Sequence, residues 1–279
     1  MQPITAYGIR FAPLVTDKAK AWALANMDYL NSPMTLFGSS IKTEKSDNTG
    51  KAETYIMYLQ PAGKVAAITL CAGAVASGCE GPCLISSGML GMSTGQRAAT
   101  KRTLLMLMRP EWFTTQLLTE VDKAERRALR TGVPALFRLN GTSDVDFSRV
   151  IEQRPDSDFY DYTKVLSRVR KNMLSNYHLT FSGSMYSQQS RNALRKAVIR
   201  GHNVAVAFNT KGLQSDDIQV PDSLVSFDET DLRPLDIAGT IGALTRKGSS
   251  KAERAVEGID SFFVTSANVH VFNDIIARV

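Results

Sequence analysis

Long apolar stretches are missing from this sequence of 279 residues: none approaches the roughly 18 consecutive apolar residues that a membrane-spanning helix requires. Residues 1–16 contain a single arginine and no apolar core of the kind that secretory signal peptides carry. We therefore expect a cytoplasmic protein without a membrane partner. With a hydrophobic fraction of 43%, the chain has enough apolar residues to bury a core of ordinary size.

A strong excess of charge is missing as well. The formal net charge of +6 is mild, and the basic residues recur at helical spacing, as on the solvated face of any helix. Acidic residues such as Glu120, Asp122 and Glu125 dilute them. No segment alternates aromatic and basic residues in the way that a platform for stacked bases requires. We expect nucleic-acid binding to be weak and non-specific at most, because affinity that comes from released counterions falls as salt rises.

What the sequence does contain is a repeated order of strand, helix, glycine and strand. Residues 110–131 have apolar residues at the period of an amphipathic helix, and Gly132 follows the predicted end. This order is typical of β-α-β units with parallel strands. It predicts a single α/β domain with a parallel TIM-barrel-like sheet, full or partial; an open doubly wound sheet is the alternative. The predicted strands are residues 55–59, 65–70, 135–139, 159–163, 177–181, 203–208, 224–227 and 261–264.

The first 54 residues lack this regularity. Residues 42–51 are polar, contain asparagine and glycine, and show no apolar periodicity, as expected of an exposed loop. We therefore predict two parts: residues 1–54 as an irregular N-terminal segment packed on the domain, and residues 55–279 as the barrel-like α/β domain.

Polar residues gather at the predicted carboxyl ends of the strands, where parallel α/β folds place their active sites. Thr163 and Ser184 suit the N-caps of following helices, but capping does not account for Arg138 and Lys211. We predict that Arg138, Asn140, Asp161 and Lys211 open into one cleft that holds a small charged or nucleotide-type substrate. Arg138→Ala should then impair function with little change in melting temperature. No residue is identified as catalytic. The predicted substrate- or cofactor-binding residues are Arg138, Asn140, Asp144, Asp161, Lys164, Lys211, Asp231 and Arg233.

The chain has only three cysteines, and all of them fall in one segment, CAGAVASGCEGPC. They are Cys71, Cys79 and Cys83, and the residues between them are mostly small or turn-forming, so the backbone can wrap closely around an ion. The ordinary alternatives are a disulfide plus a free thiol, or three buried thiols, and a cytoplasmic location argues against the disulfide. The crowding predicts that the three sulfur atoms converge, within about 4 to 7 Å of one another, on one metal centre.

The nature of that metal is left open. Zinc is usually held by four Cys or His ligands, and His178, His202 and His270 lie far along the chain from the cysteines. Three cysteine ligands on a four-iron cluster leave one iron open. A three-cysteine loop behind an early strand resembles the arrangement in radical S-adenosylmethionine enzymes, although the gaps of seven and three residues exceed that family's spacing. The resemblance implies an iron–sulfur cluster and S-adenosylmethionine as cofactors; zinc is the alternative.

Several segments together resemble a family of tailed-phage proteins called gene product 88. The segments are the cysteine loop, the basic stretch at residues 97–109, RLNGTSD, DFYDYTK, YHLTFSGS and DETDLRPLDIAG, within residues 55–266. The resemblance implies a phage or prophage origin, hence the host cell cytoplasm, and no established activity. It points to Cys71, Cys79, Cys83, Arg138, Asn140, Asp144, Tyr162, Lys164, Asp231, Arg233 and Asp236.

Two functions fit these features. In the first, the protein is a phage-encoded, radical-SAM-like iron–sulfur enzyme that acts on a small charged or nucleotide-type substrate. In the second, the metal only staples the loop, and the protein binds nucleic acid or a host protein without catalysis. An open coordination position facing a polar cleft favours the enzyme, and a fully ligated metal favours the binding protein. The sequence leaves the reaction, the substrate and the oligomeric state open.

Overall fold

The computed structural model describes residues 3–38, 44, 47–61, 63–84, 88–210, 214–215, 218–219, 221, 223–247 and 259–277. Lys211, one of the predicted site residues, lies outside them, as do residues 42–43 and 45–46 of the predicted loop at residues 42–51. The strands are β1 (Phe37–Gly38), β2 (Glu53–Met57), β3 (Ala135–Arg138), β4 (Asp158–Thr163), β5 (Tyr177–Ser182), β6 (Val204–Phe208), β7 (Gln214–Ser215), β8 (Ile218–Gln219), β9 (Val225–Ser226) and β10 (Ile241–Thr245).

Helices connect most of these strands. They are α1 (Ala6–Arg10), α2 (Asp17–Ala25), α3 (Met27–Asn31), α4 (Gly88–Gly91), α5 (Ser93–Met108), α6 (Pro110–Thr131), α7 (Ser148–Ile151), α8 (Leu166–Lys171), α9 (Gln188–Ile199) and α10 (Val269–Ile276). The predicted helix at residues 110–131 is confirmed as α6. It ends where Gly132 adopts a left-handed conformation (φ 73°) that favours glycine. Within the described part of the chain, every helix is too short or too polar to cross a membrane.

Eight strands form one sheet in the order β1-β2-β3-β4-β5-β6-β10-β9, and β7 pairs with β8 separately. β1 is antiparallel to β2, whereas every other neighbouring pair in the large sheet is parallel. The predicted α/β fold with mostly parallel strands is therefore confirmed. Because β1 and β9 are the two edges and do not pair with each other, the sheet is open, and the predicted barrel is not closed.

The two faces of the sheet are covered differently. Strands β2 to β6 follow one another in sequence and in space, and right-handed crossovers then place the connecting helices on one face. On this helix face, Phe137 and Phe159 pack in one core cluster with Phe113 of α6. On the opposite, inner face, Tyr160 clusters with Leu232, which comes from the segment after β9. We call residues 227–236 the inner segment.

The described part of residues 1–54 is more regular than predicted, since it contains α1, α2, α3 and β1. The hydroxyls of Thr5 and Thr16 cap α1 and α2 by accepting a hydrogen bond from the backbone, which is why these helices begin there. The segment is tied to the rest of the chain through Lys101, whose side chain is buried. The Lys101 Nζ donates to the carbonyl oxygens of Tyr29 (2.5 Å) and Ser32 (2.7 Å) at the end of α3.

Two of the predicted strands are wrong. Residues 65–70 form no strand, because β2 pairs directly with β3 and leaves no position between them. The segment instead makes a single bridge, between Ala66 and Val15, and Cys71 directly after it bridges to Asp144. Residues 261–264 likewise contribute one bridge, between Val264 and Phe208. Both segments are apolar runs with the pattern of a strand, but the sheet has no vacant position for them.

Candidate functional site

Six predicted or family-motif residues form a buried group on the inner face of the sheet, which we call the inner-face network. It consists of Arg138, Tyr160, Tyr162, Asp231, Arg233 and Asp236. Arg138 Nη1 donates to Asp231 Oδ2 at 2.9 Å, and the Tyr160 hydroxyl donates to the same oxygen at 3.0 Å. The guanidinium of Arg138 also lies over the Tyr162 ring, 4.7 Å from its centroid. Asp231 is thereby held against β3 and β4.

The second half of the network is a turn in the inner segment. Arg233 Nη1 lies 3.2 Å from Asp236 Oδ2, and its guanidinium stacks 3.5 Å from the centroid of the Phe227 ring. Each buried cation therefore has a carboxylate partner. The Nε atoms of Arg138 and Arg233 are buried without a hydrogen-bond partner, so the hydrogen bonding is less complete than the charge pairing.

Ionisation within the network follows from burial and from these pairs. Burial raises the pKa of Tyr160 well above its ordinary value, so this hydroxyl stays a hydrogen-bond donor. Burial is the largest single effect and opposes the charge on Arg138, but the carboxylate of Asp231 and the neighbouring tyrosines together outweigh it and raise the pKa of the guanidinium. The network is thus an electrically balanced contact that fixes the inner segment to the sheet.

Asp161 lies on the helix face of β4, opposite to Arg138. Its Oδ1 accepts a hydrogen bond from the backbone N of Asn140 at 2.7 Å, and its Oδ2 accepts from the Asn140 amide and the Tyr177 hydroxyl, both at 2.9 Å. Burial raises the pKa of Asp161 to about 6, and the bonds from Asn140 oppose that shift. Asp161 therefore shapes the turn after β3.

Asp144 performs a similar role one turn later. Its carboxylate pairs closely with Arg168 of α8, and Oδ2 accepts hydrogen bonds from the Thr163 hydroxyl and the Lys164 backbone N, both at 3.0 Å. Burial raises the pKa of Asp144, and the charge of Arg168 opposes the shift. Asp144 thus joins the end of β3 to the end of β4 and to α8.

The predicted cleft is consequently divided. Asn140 and Asp161 come together, but Arg138 lies on the other face of the sheet in the inner-face network. The reason is geometric: side chains alternate between the faces of a strand, and Arg138 pairs in register with Tyr160 rather than with Asp161. The position of Lys211 relative to either group lies outside the described residues.

The cysteine loop packs over the carboxyl ends of β3, β4 and β5. The backbone N of Asp144 donates to the Leu70 carbonyl at 2.7 Å, which anchors the start of the loop. The Ser184 hydroxyl donates to the Ser77 carbonyl at 2.7 Å, which anchors its far side. Directly after the second anchor, Gly78 has φ 68° and lies so close to Tyr186 that a Cβ atom would be 2.3 Å from the ring. Only glycine fits there.

Cys71 and Cys79 meet within this loop. The Cys71 thiol donates a hydrogen bond to Cys79, which lowers the pKa of Cys79 to about 6, against burial and with help from the Lys164 ammonium. The same bond, together with burial, raises the pKa of Cys71. Asp144 adds to the rise at Cys71, and Glu80 opposes the fall at Cys79. The pair thus favours a shared proton, with the negative charge on Cys79.

Lys164 is the charged residue that faces this pair from the end of β4. Its Nζ donates to the Ser182 hydroxyl at 2.9 Å and lies 4.6 Å from the centroid of the Phe262 ring. Among the residues that the structure describes, no carboxylate comes within ion-pairing distance of this ammonium. The guanidinium groups of Arg138, Arg168 and Arg233, by contrast, each pair with a carboxylate. Its positive charge is therefore available to the thiolate.

Cys83, the third cysteine, does not complete a metal site with this pair. All three cysteines are described and none is in a disulfide. In the described part of the chain, no group of three or more His, Cys, Asp or Glu side chains is arranged to hold a metal ion. The donors as placed do not fit a cluster or a zinc ion, and the iron–sulfur, S-adenosylmethionine and zinc assignments stay predictions.

An open groove of about 400 Å³ gives access to the loop. Cys71 lines it together with Ile68, Thr69, Gly73 and Val75. Ile68 and Val75 are both exposed, so the groove has an apolar rim. Cys79, by contrast, is 9% exposed. A small molecule in the groove therefore meets Cys71 first.

Sequence reasoning missed two residues of this region, Arg168 and Tyr177. Arg168 lies within α8, and Tyr177 is the first residue of β5, so neither stands at the carboxyl end of a predicted strand, where the site was sought. The one available signal was that both lie near acidic strand-end residues in the predicted topology.

A family model named Gene product 88 matches residues 34–258, which is most of the chain and includes the cysteine loop and the inner-face network. The chain belongs to this family, the phage family that its motifs resemble. No curated protein matches the chain, and no solved structure matches it.

Proposed function

We propose that this member of the gene product 88 family is a thiol-dependent enzyme whose reactive centre is the Cys71–Cys79 pair. The observation that carries the proposal is the contact of two thiols beside Lys164, a lysine with no carboxylate partner among the described residues. Lys164 is the counter-ion that keeps the pair negatively charged, and the groove lined by Cys71 is the substrate entrance.

The location supports an active site. In parallel α/β proteins, the residues that carry chemistry stand on loops at the carboxyl ends of the strands, held by a rigid sheet beneath them. The thiol pair and Lys164 are at this end, whereas the inner-face network is buried under the inner segment. A small molecule can therefore reach the thiols without unfolding any described element.

The chemistry follows from the shared proton. A thiolate is the nucleophilic form of cysteine, and a cysteine that is ionised at neutral pH reacts far faster than an ordinary thiol with a pKa near 8.5. Cys71, at the groove, becomes the attacking sulfur when its proton passes to Cys79. Lys164 stabilises the negative charge on either sulfur and on a substrate group that approaches it. Small charged and nucleotide-type molecules, the class that the strand-end residues predict, are the substrates to test first.

The first experiment measures the thiolate directly. The ultraviolet absorbance of the thiolate, followed as a function of pH, should show one ionisation with a midpoint near 6. Cys79→Ser should remove that ionisation, and Cys83→Ser, the matched control in the same loop, should keep it. Turnover is then measured on a panel of small thioesters and phosphorylated electrophiles, as product formed in excess of protein. Turnover by the wild type and Cys83→Ser, but not Cys71→Ser or Cys79→Ser, is the expected pattern.

Two results would overturn the proposal. One is a pair that ionises near pH 8.5 like an unperturbed thiol. The other is turnover that persists when both Cys71 and Cys79 are replaced by serine.

A metal centre on the three-cysteine loop is the second candidate, and the observation that favours it is the presence of all three thiols within one loop. It requires Cys83 to join the pair, which the described arrangement does not contain. Iron and zinc analysis of anaerobically purified protein, with its visible spectrum, separates the two. Metal binding that is lost in Cys83→Ser favours the metal centre, either in an enzyme or in a binding protein whose loop the metal holds. A metal-free protein with an ionised pair favours the thiol enzyme.

A further inference from the structure

We infer that the substrates of this thiol pair are small disulfides, and that Cys71 and Cys79 reduce them by forming a disulfide with each other. The inference rests on the proposed function and deepens it, since it names the substrate class. Cys71 is the sulfur that enters the reaction, and Cys79 is the sulfur that resolves it. Cys83 takes no part.

The backbone already holds the two cysteines together. Ala74 N donates to the Cys71 carbonyl at 3.2 Å, and Cys79 N donates to the Ala74 carbonyl at 3.0 Å, so both cysteines are one hydrogen bond away from the same residue. The anchors at Leu70 and Ser77 fix both sides of this turn to the sheet. Both cysteines are therefore held in one turn, with the resolving sulfur on the same loop as the attacking one.

Exposure decides which sulfur acts first. Cys71 is partly exposed and lines the groove, whereas Cys79 is buried behind it. The groove is lined by small residues, among them Gly63, Ala67 and Gly73, so a disulfide-bonded small molecule can bring a sulfur atom against Cys71. A folded protein disulfide has no comparable access, which is why the inference is limited to small molecules.

The reaction balances without a further reagent. The Cys71 thiolate, having passed its proton to Cys79, attacks one sulfur of the small disulfide, forms a mixed disulfide and releases the first small thiolate. The Cys79 thiol gives its proton to that leaving thiolate, and its sulfur attacks Cys71. The Cys71–Cys79 disulfide forms and the second small thiolate leaves. The protein loses two electrons, and the small disulfide gains them.

A protein that works in a reducing cytoplasm fits this chemistry. Disulfides in that compartment are mostly transient, and they are found in catalytic or redox-sensing pairs. The anchored loop keeps the pair together in the reduced and in the disulfide-bonded state. When the thiolate is consumed, the charge of Lys164 can attract the thiolate products instead. Small thiols of the cell would return the pair to its reduced form by the reverse exchange.

The test incubates the full-length reduced protein with glutathione disulfide at pH 8 and follows the products by intact mass and peptide mapping. We expect the wild type and Cys83→Ser to form the Cys71–Cys79 disulfide and to release two glutathione molecules. In Cys79→Ser, the mixed disulfide should accumulate on Cys71, because the resolving sulfur is gone. Cys71→Ser should react much more slowly, because Cys79 is buried.

Three outcomes overturn the inference: a disulfide that includes Cys83, a mixed disulfide that persists on the wild type, or no reaction at all. The proposed function fails by a separate measurement, the thiolate titration without any disulfide present. An ionised pair that turns over other electrophiles but leaves glutathione disulfide intact keeps the enzyme and removes this substrate class.

Discussion

The inner-face network and the cysteine loop, which we also call the thiol loop, use charge in opposite ways. In the network, Arg138 and Arg233 are buried, and each faces a carboxylate within about 3 Å or slightly more. In the loop, Lys164 faces two cysteines, and its nearest hydrogen-bond partner is the neutral hydroxyl of Ser182. The first arrangement is closed to ligands, and the second leaves a charge that a thiolate or a substrate can use.

The difference teaches which family-motif residues to regard as structural. The D-x-R-x-x-D motif places Asp231, Arg233 and Asp236 in contact with one another and with the sheet, so its function is to hold the inner segment. The cysteine motif contacts the sheet mainly through backbone carbonyls, at Leu70 and Ser77. Its side chains are left for chemistry.

Breaking the network should have the largest effect on stability. Asp231→Ala leaves the buried guanidinium of Arg138 without its counter-charge, and such a change typically costs about 3 to 5 kcal/mol. Lys164→Ala breaks no ion pair among the described residues and should cost about 1 kcal/mol or less. Urea unfolding of the two variants beside the wild type measures both free energies of unfolding. Equal losses in the two variants would contradict the distinction.

A paired variant separates the charge from the packing. Arg138→Met combined with Asp231→Leu removes both charges and should recover part of the loss, because a buried ion pair replaced by apolar residues is often neutral or stabilising, whereas the buried Tyr160 hydroxyl still lacks the acceptor that Asp231 provided. The buried Nε of Arg138, which has no hydrogen-bond partner, makes recovery more favourable. The sequence alone predicted little change in melting temperature for Arg138→Ala. Because this variant also breaks the buried ion pair, we now expect a large loss of melting temperature.

The network shows why this part of the site resisted prediction. The sequence identified Arg138 and Asp231 as unusual polar residues, and both are in the network. Their partnership spans 93 positions, and no local pattern encodes a contact of that range. Strand periodicity would have separated Arg138 from Asp161, since they lie on opposite faces, but that requires the register between β3 and β4.

The fold was easier to predict from the sequence than the site. An amphipathic pattern with its terminal glycine located α6, and strand patterns located most parallel strands to within a few residues, because burial of one face dictates those patterns. Closure of the sheet was not encoded locally. The apolar run at residues 65–70 has the composition of a strand, yet the direct pairing of β2 with β3 excludes it from the sheet.

The close contact that holds the thiol loop should have an intermediate effect. Gly78→Ala places a Cβ atom 2.3 Å from the Tyr186 ring, and relief of such an overlap costs about 1 to 3 kcal/mol beyond the backbone strain. Gly50→Ala is the matched control: Gly50 has φ 69° with nothing within 4 Å, so only the strain of about 1 kcal/mol applies. Urea unfolding should separate the two variants.

Removal of the Tyr186 ring makes space for the new methyl group and should restore part of the lost free energy of unfolding. In a Tyr186→Ala background, Gly78→Ala should cost no more than Gly50→Ala does in the wild type. Undiminished loss in that background would mean that the ring does not determine the position of the loop. Labelling of Cys71 and Cys79 in the same variants reports whether the pair stays together when the loop shifts.

The smallest effect, and the one specific to the thiol loop, concerns the ionisation of the pair. Lys164→Met removes a positive charge that favours the thiolate, so the midpoint of the thiolate titration should rise from near 6 toward the ordinary thiol value, by about one pH unit. At pH 6 the variant should therefore contain less thiolate than the wild type, whereas at pH 9 the two should be alike. Lys123→Met is the control, since Lys123 is exposed on α6, and it should leave the midpoint unchanged. Equal midpoints in all three proteins would show that Cys71 alone ionises Cys79, and Lys164 would then lose its role as the counter-ion.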